Sequence, residues 1–439
     1  MPVSRQELKE RAFAAIDQNR DKIIALGDSI FAEPELGFKE VKTAAKIKKV
    51  FEELGYEYQD GAAITGVIAP RKGKESKMKV AVMGELDAVV APGHRCADPK
   101  TGDAHSCGHN CMIAALSGVA YALKDTGIME ELSGDIVLMA VPAEEYVEIG
   151  YRNELKKEGK IYFLGGKPEF IRLGYLDDVD ILLMQHSANY EGEQKRAYAG
   201  GETIGFLGKL VHYIGKEAHA GGAPHLGINA LNAAQIGLMA VNAQRETFQD
   251  KDHIRVHPIM TKGGDLVNVV PADVCIETYV RGGSVEAIFD ASAKVDRAFK
   301  AGADAVGAKC EITNLPGYLP TDFSKDLYDL NYENLKMIIG EEQAGYQAPL
   351  STASGDLGDV SHIMPCIQAS IGGAVGVFHS ENFEIGDKEL AYIVPAKLLV
   401  ATAIDLLADG AKTGLAVKAN FRPKMTKQEY LTVWGGMKE

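Results

Sequence analysis

The stretch "MKVAVMGELDAVV", Met78 to Val90, decides the fold. Its apolar run is continuous rather than alternating, which is the pattern of a strand buried on both faces. It ends on two acidic residues, Glu85 and Asp87. The pattern recurs in "GDIVLMAVPAEE" (134–145), ending on Glu144 and Glu145, and in "VDILLMQHSA" (179–188), which reaches His186. Helical segments lie around and between them. "VKTAAKIKKVFEELGY" (41–56) spaces its apolar residues by three and four, and "HNCMIAALSGVAYALKDTG" (109–127) is a helix of small residues. Buried strands with polar C-terminal ends, separated by helices, specify an open α/β sheet, mixed and mostly parallel, with its site along that edge.

Near residue 195 the pattern changes. "ETIGFLGKLVHYIGK" (202–216) alternates like an antiparallel strand, followed by the helix "INALNAAQIGLMAVNAQRET" (228–247). Strands in "DHIRVHPIMTKGG" and "VCIETYVRG" and the helix "VEAIFDASAKVDRAFKAGADAVG" come next. This β-α-β-β-α-β order predicts an inserted α+β (ferredoxin-like) domain over 196–312. It interrupts a discontinuous domain made of 1–195 and 313–439. Beyond residue 410, the basic "VKANFRPKMTK" and the single tryptophan, Trp434, read as a surface extension packing on the body or on a partner.

The 439 residues exceed one ordinary core, in keeping with two domains. A net charge of −14 argues against a general binder of nucleic-acid backbone. The charged N-terminus lacks the apolar core of a signal peptide, and no stretch approaches about 18 uninterrupted apolar residues. Six scattered cysteines (96, 107, 111, 275, 310 and 366) do not resemble a disulfide framework, so a reducing, cytoplasmic setting is expected.

Chemistry concentrates in "DAHSCGHNCM" (103–112). No second Cys or His pair follows nearby to complete a structural zinc site, and the cysteines are not spaced as a redox CxxC. Cys107 stands at a helix N-terminus as a nucleophile or a metal ligand, and Cys111 reads as a small core residue. A cysteine hydrolase would need mainly one histidine and an orienting amide, leaving the strand-end groups unexplained. A metal centre would use them: Asp87, Glu144, Glu145, His186, and His379 in "GVFHSENF".

The order of motifs resembles one family. "FAEPELGFKE", "GELDAV", "HSCGHN", "PAEE", "GKEAHAGGAPHLGINAL", "GGDLVNVVPADV", "SGDLGDVS" and "FHSENF" follow one another over roughly 20–410. They resemble the metal-dependent amidohydrolases and carboxypeptidases that include aminoacylases, carboxypeptidase G and indoleacetyl-amino-acid hydrolases, with the aminobenzoyl-glutamate hydrolase type most similar. The resemblance implies two divalent ions, Mn2+ or Zn2+. Cys107 would bridge them, with His109, Glu145, His186 and His379 as the other ligands. Glu144 would be the general base, and Asp87 would orient a metal-bound imidazole. His219 would stabilise the oxyanion, reaching a neighbouring subunit's site. Asn268 and Arg281, with Ser354 and Gly355, would hold the substrate.

On this resemblance the chain is a metallo-amidohydrolase of N-acyl amino acids or dipeptide-like substrates with a free carboxylate, such as aminobenzoyl-glutamate. It would be a homodimer or homotetramer whose insert provides the lid and the dimer contact. A non-catalytic or partner-dependent subunit is the alternative, and a Cys107-nucleophile hydrolase a further one. Two positions depart from the family pattern. Asn110 stands where the loop usually has Asp, and Glu85 where the first strand usually has Asp or His. His94, His212, His253, His257 and His362 read as surface or satisfied core, and His105 as either an outer neighbour of the site or a loop residue.

Overall fold

The structure, a computed structural model, describes residues 3–124 and 126–437. It divides into two compact units. The first runs to Glu202 and resumes over Asp322–Leu350 and from Asp359 onward; the second comprises Thr203–Thr321 and Ser351–Gly358. Both expected boundaries shift, for reasons of strand pairing. Ala197–Gly200 pairs with Ala344–Gln347 and Cys366–Ile371 in the first unit's sheet. Lys309–Pro316 remains paired with Gly205–Ile214 in the second. Ser351–Gly358, expected with the larger domain, joins the insert, where Thr203 and Ser351 form a β-bridge.

The first unit is built on an eight-stranded sheet. Its spatial order is Gln59–Ala62, Gly66–Arg71, Asp135–Val141, Lys79–Glu85, Ile181–Ser187, Cys366–Ile371, Ala197–Gly200 and Ala344–Gln347. The central strands, Asp135–Val141 through Cys366–Ile371, are parallel. Their runs of Val, Ile, Leu and Met are buried along nearly their whole length, as a sheet covered on both faces requires. The His109–Leu123 helix is buried on every side, which its small and apolar composition permits. The Val394–Asn420 helix breaks at Ala408–Ala411. With the turn before it, this element is long and apolar enough to cross a membrane, and 94% of its apolar window is buried inside the protein. The tail packs on the same unit. Tyr430 and Trp434 are buried, Tyr430 stacks on Phe163, and its hydroxyl donates to Asp359 (2.8 Å).

The second unit is a four-stranded antiparallel sheet carrying two helices, Ala230–Ala243 and Val285–Val306. The edge strand, Arg255–Val256 continued by Ile259–Lys262, pairs to Asp273–Gly282, which pairs to Gly205–Ile214 and then to Lys309–Pro316. That order, with a helix after the first and third strands, is the ferredoxin-like arrangement. Asn229 and Ser284 start the helices by accepting backbone N–H bonds from the first turn. Asp273–Gly282 alternates strictly: Val274, Ile276 and Val280 enter the core, while Cys275, Glu277, Tyr279 and Arg281 face the other way.

Candidate metal centre

The parallel strands deliver the acidic and histidine side chains to one edge of the first unit. Lys79–Glu85 ends on Glu85 and leads to Asp87; Asp135–Val141 leads to Glu144 and Glu145; Ile181–Ser187 carries His186. His379 follows the Cys366–Ile371 strand in a loop anchored by its own N–H, which donates to the Ser106 carbonyl (2.8 Å). The backbone is forced here. Ala143, just before the glutamate pair, and His379 both hold positive φ, at 55° and 59°, a conformation that costs energy in a non-glycine residue. Gly108, at φ 83°, caps the His109 helix, and a Cβ there would lie 2.6 Å from the Ser187 side chain. Only glycine fits between Cys107 and His109.

Hydrogen bonds aim the imidazoles. His109 Nδ1 lies 2.9 Å from the Asp87 carbonyl and 3.2 Å from its carboxylate. A carbonyl only accepts, so Nδ1 carries the proton and Nε2 is the free donor atom. His186 Nδ1 lies 2.8 Å from the Ser187 carbonyl, which frees its Nε2 in the same way, 3.6 Å from Cys107 Sγ. Asp87 also accepts from the Glu145 backbone N–H (2.9 Å), so one carboxylate braces two neighbours. The resemblance implies an orienting role of this kind for Asp87.

Two groups of metal-ligating atoms result, each within 4.8 Å: Cys107, His109 and His186, and Cys107, Glu145 and His379. Cys107 is common to both. A third group, Glu85, His109 and Glu144, adjoins them. His109 Nε2, Glu145 Oε1 and Glu85 Oε2 are buried without a hydrogen-bond partner, although His379 Nε2 is only 3.0 Å from Glu145 and His109 Nε2 only 3.1 Å from Glu85. Buried ligand-type atoms left without hydrogen-bond partners and held this close are what a bound cation would satisfy, so the residues fit the divalent ions that the resemblance implies.

The electrostatics point the same way. Burial, with Glu145 beside it, pushes the Cys107 thiol well above its usual range. A nucleophilic cysteine needs the opposite shift, whereas a ligand thiol gives up its proton as the ion binds. Burial lowers His186 and keeps it neutral, the form that ligates. His379 is raised by its contact with Glu145 against the pull of burial. Burial opposes the charged form of His109, but Glu85 and Cys107 prevail and raise it.

The remaining predicted site residues belong to the second unit. Arg281 donates to the Ser354 hydroxyl (2.9 Å) and lies against Phe206 and Tyr279, with Gly355 beside Ser354 in the chain. His219 is exposed, and its Nδ1 accepts from the N–H groups of Gly221 (3.2 Å) and Gly222 (2.9 Å). Its outward Nε2 is therefore the protonated nitrogen. Asn268 is exposed, and its carbonyl accepts from Ala220 N–H in the same loop pair. Cys111 is core, as expected, and His94 is satisfied through the Phe383 carbonyl. His105, left between two readings, is fully buried, and burial lowers its pKa to about 3. Sequence reasoning missed Lys167, wholly buried against Glu85, and Glu40 and Arg152, buried close to Asp87. "GGKPEF" carries no motif that would have marked the lysine.

The family profile of peptidase family M20/M25/M40 matches residues 81–402. The mouse (Mus musculus) Xaa-Arg dipeptidase is 27% identical, covering 97% of this chain and 94% of its own. One of the polypeptides of p-aminobenzoyl-glutamate hydrolase from Escherichia coli K12 is 26% identical over 66% of this chain and 57% of its own. A crystal structure from Bacillus subtilis, described as a dinuclear metal-binding peptidase of the M20 family, superposes with TM-score 0.66 at 21% identity. It covers 89% of this chain and 99% of that one.

Proposed function

The chain belongs to peptidase family M20/M25/M40, metal-dependent hydrolases of acylated amino acids and dipeptides, and on that premise we propose that it cleaves the amide of an N-acyl amino acid or dipeptide bearing a free carboxylate. The observation that carries the reading is the pair of three-donor groups sharing Cys107, with Glu144 alongside. Cys107, His109 and His186 would hold one ion; Cys107, Glu145 and His379 the other. When bound, such ions supply Lewis acidity and bring the pKa of water toward about 7.

Glu144 accepts the proton of the attacking water and returns it to the leaving nitrogen. Asp87 fixes the His109 ring and the Glu145 backbone, so that both donors keep their aim. His219 offers its Nε2–H to the oxygen that gains charge, a role worth about 3–4 kcal/mol in comparable sites. Arg281, held by Ser354, presents its guanidinium to the substrate carboxylate, with Asn268 and Gly355 as further contacts. The ions are Mn2+ or Zn2+, and the working form is a homodimer or homotetramer joined through the insert. Exposed Ile259 and Met260 on its edge strand, and Ile236 and Met239 on its helix, support that contact. A cytoplasmic site of action is in keeping with the free cysteines.

The test is hydrolysis of N-acetyl amino acids, aminobenzoyl-glutamate and Xaa-Arg dipeptides after reconstitution with manganese or zinc. At least one class should turn over. Glu144→Ala should cost about a hundred- to ten-thousandfold in kcat with metal content unchanged. Full activity in that variant, or activity that survives exhaustive chelation, would remove the mechanism.

A further inference from the structure

Lys167 is the least expected residue at the site. Its side chain is fully buried, and its ammonium lies 2.5 Å from Glu85 Oε1. Lys and Glu are almost never fully buried unless paired, and an ion pair taken out of water is a costly way to hold a fold together. The chain makes room for it deliberately. Gly166, at the start of the Gly166–Leu173 helix, sits so close to the neighbouring turn that a Cβ would fall 1.7 Å from the Pro142 carbonyl oxygen. This approach brings Lys167 to the C-terminal end of the Lys79–Glu85 strand.

The two oxygens of Glu85 have different surroundings. Oε1 faces the ammonium. Oε2 is buried, makes no hydrogen bond, and lies 3.1 Å from His109 Nε2, which makes none either. His109 Nδ1 is taken up by the Asp87 carbonyl, so the Nε2 of His109 and the Oε2 of Glu85 are the ligand-type atoms that face each other across that gap. Glu144 has a carboxylate oxygen within 4.8 Å of both.

We propose that Glu85 is an additional ligand to the ion held by His109, and that Lys167 is the positioning residue that turns one oxygen of Glu85 away and leaves the other for the metal. The inference rests on the assignment of the Cys107-bridged ligand set. It gives each of the two positions one carboxylate donor, Glu85 on the His109 side and Glu145 on the His379 side.

Titration of the metal-free full-length protein with Mn2+ and with Co2+, followed by calorimetry and by the Co2+ absorption spectrum, tests this. Glu85→Gln should weaken one of the two ions about 10- to 100-fold, the other keeping its wild-type affinity, and should change the Co2+ spectrum. Glu85→Asp keeps a charge for Lys167 and guards against misfolding, and it should weaken the same ion. Lys167→Met should weaken that ion in the wild-type background and have no further effect on it in the Glu85→Gln background, whereas a merely structural lysine would act equally in both. Unchanged affinities in both Glu85 variants overturn the proposal. Cys107→Ser separates it from the underlying reading. If that variant keeps both ions while Glu85→Gln loses one, the ligand set is wrong and Glu85 stands as a donor. A wild-type protein that takes up no metal overturns both.

Discussion

Two regions of this protein gather ligand-type side chains, and only one has the character of a metal centre. In the first unit Cys107, His109 and His186 lie together; on the open face of the second unit's sheet, His212, Asp273 and Cys275 lie equally close. His212 and Cys275 are direct cross-strand partners, with Asp273 two residues along on the same face. The difference is satisfaction. Asp273 accepts from His212 (2.8 Å) and from Lys262 (2.7 Å), and all three residues are part-exposed to water. In the first cluster Cys107 and His109 are buried, both histidines are tied by Nδ1, and His109 Nε2 is left without a hydrogen-bond partner, as is Glu145 Oε1 in the adjoining group. Proximity of ligand-type atoms does not make a site. A frame that denies those atoms any other partner does.

Four measurements test this contrast. The largest effect is expected from Cys107→Ser, because one sulfur serves both groups. Both ions should weaken by more than the ~10–100-fold typical of losing an outer hydrogen-bond partner, read as metal content after dialysis. Asp87→Asn comes next. It leaves every proposed ligand in place but disturbs the His109 ring, and metal affinity should fall about 10- to 100-fold by competition with a chelator.

A third expectation concerns the layer behind the site. Burial, with Asp87 nearby, raises the Glu40 carboxyl to about 8. Its oxygens accept from Thr65 (2.5 Å) and from the Ala143 N–H (2.8 Å). The folded protein thus binds a proton that the unfolded chain releases near its ordinary pKa. The corresponding stability is present below about pH 4.5 and is lost as pH rises through about 8. Glu40→Gln should flatten the fall of Tm across that interval in thermal melts. The smallest effect is expected from His212→Ala: no change in the number of bound ions, and stability within about 0.5 kcal/mol of wild type by denaturant titration. Loss of an ion there would refute the distinction between the clusters.

What was legible in the sequence follows from the same physics. Strands such as Lys79–Glu85 and Asp135–Val141 announce themselves, because burial on both faces demands an unbroken apolar run, and the polar residues that end it mark the sheet edge. His186 stands out because it lies at the end of such a strand, and His379 through the resemblance. Lys167 was not, because its meaning lies in a tertiary contact with Glu85, 82 positions away. Glu40 stayed silent for the same reason: its partners, Thr65 and Ala143, are remote in sequence. The segment Ser351–Gly358 joins the insert through pairing with Thr203, which no local periodicity encodes.

The single tryptophan has a practical consequence. Trp434 is buried in the tail. The next residue, Gly435, offers its carbonyl to the Tyr162 hydroxyl (3.0 Å), five residues before Lys167. Indole fluorescence therefore has one source in this chain, and it sits at the rear of the segment that carries the buried ammonium. A change in emission on adding metal would report movement of that segment without any introduced label, and the insert contributes no indole of its own to that signal.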